Sequence, residues 1–225
     1  IQRIGSVEPL ICFGPTVAGQ NLIFCGPEVN MAHVKICGIN TEHALEAAID
    51  AGADYVRLVL YPKSPRNIEF DHAVALADEA RERTKVVALV VDPGPAILSV
   101  LRHSIKPDII QLHGHEPPEL VERFRNALPG IDIWKAVPVS DVGDFEAAEA
   151  YLDPNTRADT LLFDAKPPKD ATLPGGNGLA FDWHILDGVS ERYPYVLAGG
   201  LTAENVADAI RLTGAATVDV SSGVE

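Results

Sequence analysis

The sequence predicts an α/β fold, a (β/α)8 barrel, on three observations. Eight short β-branched or apolar runs alternate strictly with helical stretches from Val34 onwards. The runs are almost continuously apolar, as parallel strands covered on both faces are. No linker and no shift of composition divides the alternation into halves, which favours a closed barrel over a doubly wound open sheet.

Each element has a local reason. Val34–Cys37 reads as a strand, and Thr41–Ala51 as a helix with Ala44, Leu45, Ala48 and Ile49 at helical spacing. Asp54–Tyr61 is a strand, and Asp71–Arg83 a helix with Ala73, Leu76, Ala77 and Ala80 on one face. Val86–Val91 precedes a helix at Pro95–Arg102. Ile109–Leu112 precedes Pro118–Leu128, whose proline stands in the first turn, where its missing N–H costs nothing. Ile131–Ala136 leads to Val142–Tyr151, and Thr160–Asp164 leads through a Pro/Gly-rich loop to a short helix at Trp183–Gly188. Tyr195–Ala198 leads to Ala203–Leu212, with Thr202 as N-cap, and Thr217–Val220 is the last strand. An eighth helix is expected to be absent.

Residues 1–33 read as an N-terminal leader and 34–225 as the barrel, ending after its last strand. Gly14, Pro15 and Gly19 interrupt any apolar run in the leader, so it is not read as a signal peptide, and Met31 is a candidate start. Removing the leader leaves 192 residues, below the ~200–250 usual for such a barrel.

Composition narrows the partners. The chain has 18 Lys and Arg against 32 Asp and Glu, a formal charge of -14. Nucleic acid and anionic membranes, which select basic surfaces, are disfavoured. A small anionic substrate is not, because a local nest of backbone N–H groups holds a phosphate even in an acidic protein. Three cysteines without a CxxC pair argue against a disulfide scaffold and a zinc site, and suit a cytoplasmic setting.

Barrel chemistry sits at the carboxyl ends of the strands. There the sequence puts Cys37, then Arg66 in the loop after strand two, then Gln111 and His113, Asp164, Gly199-Gly200, and Asp219 with Ser221, Ser222 and Gly223. Glycine-rich ends on the last two strands fit a phosphate, since small residues let backbone N–H groups approach an anion. Cys37 reads as a small buried hydrophobe or as a catalyst. Asp164, after Leu161-Leu162-Phe163, reads as a proton donor raised by apolar surroundings or as a structural acceptor of loop N–H groups. Arg66 reads as a bidentate carboxylate ligand or a solvated residue, and His113 as a site residue or a supporting one. Lys35 alternates with Cys37, so both face the interior, and Asp219 is a candidate partner for the lysine.

With these residues assembled, the chain resembles the phosphoribosylanthranilate isomerase family of tryptophan biosynthesis. The resemblance is carried by VKICGI (34–39), AGADYV (51–56), YPKSPRNI (61–68), QLHG (111–114), LLFDA (161–165), GGNG with FDW (175–183), LAGGLTAENV (197–206) and VDVSSGVE (218–225), in family order. It implies a TIM barrel, no cofactor, a phosphorylated small-molecule substrate, and a monomer or homodimer. The implied reaction is the Amadori rearrangement of N-(5'-phosphoribosyl)anthranilate, with Cys37 as general base and Asp164 as general acid. Arg66 and His113 are implied on the anthranilate side, and Gly199, Gly200, Ser221, Ser222 and Gly223 around the phosphate.

The chain departs from the family pattern at Arg57-Leu58, where a Gly-Phe pair is usual, and at Leu179-Ala180. A barrel-strand arginine must find a polar partner or distort its strand. The final helix that closes the family's ring is expected to be missing. A related histidine-pathway isomerase and indole-glycerol-phosphate synthase are competing readings, but they use paired aspartates, or a lysine with glutamates, in place of Cys37 and Asp164. A non-catalytic phosphate-binding barrel, or a fragment of a fused pathway enzyme, is the remaining alternative.

Overall fold

The computed structural model describes residues 32–153, 157–167, 171, 173, 175 and 180–224. The expected leader up to Met31 and residues 176–179 of the glycine-rich motif lie outside them. Strands β1 (His33–Cys37), β2 (Tyr55–Val59), β3 (Lys85–Val90), β4 (Ile109–Leu112), β5 (Asp132–Val139), β6 (Thr160–Ala165), β7 (Tyr195–Leu197) and β8 (Thr217–Val220) pair in parallel in chain order and close into a barrel. Closure is by direct pairing of β1 with β8, from His33↔Thr217 to Ile36↔Val220. The first strand thus begins at His33, one residue before the expected boundary.

The helices are α1 (Glu42–Asp50), α2 (Phe70–Ala80), α3 (Ile97–Val100), α4 (Pro118–Ala127), α5 (Gly143–Glu149) and α6 (Val206–Thr213). Thr41 caps α1, its hydroxyl accepting from the Ala44 N–H at 3.1 Å. Gly214 ends α6 in the left-handed region, with its N–H on the Ile210 carbonyl. Thr202, expected as the cap of this helix, stands just ahead of it, and its carbonyl takes the Val206 N–H at 3.0 Å.

Three expectations shift. The helix expected at Pro95–Arg102 begins at Ile97 and continues as a π-helical turn, Leu101–Ile105. Burial of Leu101 and Ile105 carries it on until Lys106 turns left-handed ahead of Pro107. The helix expected at Trp183–Gly188 is a 3-10 turn, Trp183–Leu186, started by Asp182 accepting from the His184 N–H. Strand β5 runs three residues past Ala136, through Pro138, because Val139 still pairs with Ala165.

Two apolar layers follow from the period-two alternation of the strands. Outward residues such as Val56, Leu58, Val86, Ala88, Ile110 and Phe163 pack on the helices through Leu45, Leu76, Phe124 and Ala209. Inward residues Val87, Ile109, Trp134, Ala136, Leu162, Val196 and Ala198 fill the barrel. Cys37, Val59 and Leu89 form a separate inward cluster. Polar residues among the inward positions include Lys35, Arg57, Gln111, Asp164 and Asp219, on five different strands.

Candidate active site

The inward polar residues join into one chain. Arg57 bonds Asp219 Oδ2 through Nη1 at 3.0 Å and the Cys37 sulfur through Nη2. Lys35 Nζ lies 3.2 Å from the same Asp219 oxygen and donates to Gln111 Oε1 at 2.5 Å. Gln111 Nε2 meets His113 Nδ1 at 2.7 Å, and His113 Nε2 stands 3.5 Å from Asp164 Oδ2. The path runs from Cys37 to Asp164 without a gap.

Lys35 sets the direction of the second half. An ammonium only donates, so the Gln111 oxygen faces it and the Gln111 amide nitrogen faces His113. His113 Nδ1 then accepts, and the proton of the neutral ring sits on Nε2, toward Asp164. Burial holds the imidazole below its usual pKa, against the pull of Asp164, which favours that neutral ring. The other Asp164 oxygen accepts from the Ala165 N–H at 2.8 Å.

The remaining candidates converge on the same mouth. Gly38, next to Cys37, takes a φ of +83°, and a Cβ there would stand 2.6 Å from the Arg66 Cδ. The Arg66 stem therefore lies across the end of β1 only because residue 38 is glycine. Gly199 and Gly200 both have positive φ, and a Cβ on Gly199 would meet the Ala165 N at 2.8 Å. Ser221 follows β8, and Ser222 and Gly223 begin the 3-10 turn that ends at Val224.

Sequence reasoning missed two contacts. Arg57 was noted as a departure without a partner, and its place against Cys37 follows from the β1–β2 register, which pairs Cys37 with Arg57. Gly175 packs over the acid end, where a Cβ would stand 2.6 Å from Asp164 Oδ2. The expected Lys35–Asp219 pair is present.

Comparison with known proteins decides the family. Residues 34–225 match the family model for N-(5'phosphoribosyl)anthranilate (PRA) isomerase. The chain belongs to the PRA isomerase family. It is 53% identical over 192 residues to the N-(5'-phosphoribosyl)anthranilate isomerase of Paramagnetospirillum magneticum, covering 85% of this chain and 87% of the relative. The isomerase of Rhodopseudomonas palustris strain HaA2 is 48% identical, covering 85% and 86%. Among solved structures, the Thermotoga maritima phosphoribosyl anthranilate isomerase superposes with a TM-score of 0.75 at 36% identity, covering 87% of this chain and 90% of its own. A phosphoribosyl anthranilate isomerase in complex with reduced 1-(o-carboxyphenylamino)-1-deoxyribulose 5-phosphate gives 0.73 at 34% identity, covering 87% and 89%. As a PRA isomerase the chain is an enzyme of tryptophan biosynthesis, and the competing barrel readings fall away.

Burial pushes the Cys37 thiol up, and Arg57 is the largest influence in the opposite direction. Asp219 adds to the rise, while the Ser221 hydroxyl and Lys35 oppose it.

Proposed function

We propose that this barrel divides the Amadori rearrangement of N-(5'-phosphoribosyl)anthranilate between Asp164 and Cys37. Asp164 gives its proton to the furanose ring oxygen. The C1'–O bond breaks, and the anthranilate nitrogen lends its lone pair to form an iminium. Cys37, as thiolate, takes the proton from C2', and the C–H electrons become the C1'=C2' bond of an enolamine. Tautomerisation places a proton on C1' and leaves a ketone at C2', giving 1-(2-carboxyphenylamino)-1-deoxy-D-ribulose 5-phosphate.

The observation that carries this assignment is the surrounding of Asp164. Its two oxygens face the Ala165 N–H and the neutral His113 ring, donors that strengthen as the carboxylate forms. Arg66 reads as the partner of the anthranilate carboxylate, and His113 as a supporting group on the same side. The backbone of Gly199, Gly200, Ser221, Ser222 and Gly223 reads as the phosphate cradle, suited to an anion in a chain of formal charge -14. The sequence and cysteine usage favour a cytoplasmic enzyme without a nucleic-acid or membrane partner; among the described residues no helix is long and apolar enough to cross a membrane.

Cys37→Ser and Asp164→Asn are expected each to lower turnover by about 10²–10⁴-fold, the usual contribution of one acid or base, while substrate binding persists. Full turnover in either folded variant would overturn the division of roles.

A further inference from the structure

Among the described residues, the Arg57 guanidinium has two side-chain hydrogen-bond partners, Cys37 and Asp219, and its buried Nε has none. A buried arginine placed on a neutral thiol would leave most of its charge answered by one carboxylate that it already shares with Lys35. The cluster holds two cations, Lys35 and Arg57, and one carboxylate, Asp219, all buried. A thiolate at Cys37 brings it to neutrality.

We propose that Arg57 is the positioning residue for the base, holding the Cys37 sulfur as thiolate on one nitrogen while Asp219 anchors it through the other. The inference rests on the reading of Cys37 as the base. The groups that face the sulfur are Lys35 from its own strand, Arg57 from β2, Asp219 from β8 and Ser221 just beyond. Asp164, on β6, acts on Arg57 from the far side. The other buried residues clustered with Cys37, Val59 and Leu89, are apolar. Arg57 thereby works against burial, which remains the largest influence and holds the thiol above its usual pKa.

The test is the ionisation of Cys37 in Arg57→Gln, read as thiolate absorbance near 240 nm against pH with Cys37→Ser as the blank. Asp219 keeps Lys35 in this variant, so its carboxylate is not orphaned. The midpoint is expected to rise by about 1–3 pH units, as for loss of an adjacent opposite charge. The acid limb of kcat/KM is expected to move up with it, and Arg57→Lys to restore both. An unmoved midpoint in the folded variant overturns the inference, as does higher turnover with an unmoved limb, which would make Arg57 an obstruction. If Arg57→Gln does not fold, comparing the Arg57→Gln/Asp219→Asn pair with Asp219→Asn alone removes the ion pair as a unit and asks the same question. Thiolate absorbance is independent of turnover. A shifted midpoint with turnover and the kcat/KM limb unchanged therefore speaks against Cys37 as base and not against Arg57 as its partner.

Discussion

Asp219 accepts from both buried cations, and this limits how far either is stabilised. Burial pulls Lys35 from the usual 10.5 down to about 8, with Asp219 opposing the fall. Between about pH 8 and 10.5 the native protein therefore holds fewer protons than the unfolded chain, and stability from this site rises with pH. Below pH 8 the cost of burying the ammonium is present in full. Urea denaturation near pH 8 and again near pH 10 should show the wild type gaining on Lys35→Met at the higher pH. At this scale the sequence was informative where alternation alone decides orientation: Lys35, Cys37 and Asp164 face inward because strands alternate. It was silent on the partners of Arg57 and Gln111. Their partners depend on the register of β1 with β2 and on which strands lie across the barrel, neither of which is a local property.

The elements were legible where one periodicity ruled. Apolar strand runs and helices with a clear buried stripe, such as α2 and α4, fall close to their expected spans. They were less legible where tertiary contact overrode a local breaker. The strand expected to end at Ala136 runs on through Pro138, carried by the pairing of Val139 with Ala165. The loop after β7 shows the opposite case, in which glycine is demanded by geometry. Gly199 has a φ of +88°, and a Cβ would press on the Ala165 N beside Asp164. Gly199→Ala is expected to cost about 1–2 kcal/mol of stability, the price of a left-handed L-residue. It should also weaken competitive inhibition by inorganic phosphate, because the same backbone is assigned to the phosphate. Inhibition kinetics and denaturation on one sample would check both outcomes.

At the scale of the molecule, the polar chain exists only when the ring is closed. Its members come from β1, β2, β4, β6 and β8 and from the turn after β4, and β8 reaches β1 by four paired residues. Strand order and closure were legible because eight similar βα units leave few arrangements. The closure was expected to depend on a helix after the last strand, whereas direct β1–β8 pairing supplies it. The acidic composition, read first as disfavouring nucleic acid, is compatible with a phosphorylated substrate because the proposed cradle is backbone and hydroxyl. The central claim is that this chain isomerises N-(5'-phosphoribosyl)anthranilate at that mouth. The most direct measurement is the fluorescence of that substrate during incubation with the purified chain near neutral pH. A decay proportional to enzyme concentration, slowed by about 10²–10⁴-fold in Cys37→Ser, is the predicted result. Unchanged fluorescence with a sample whose circular dichroism shows a folded barrel would contradict it.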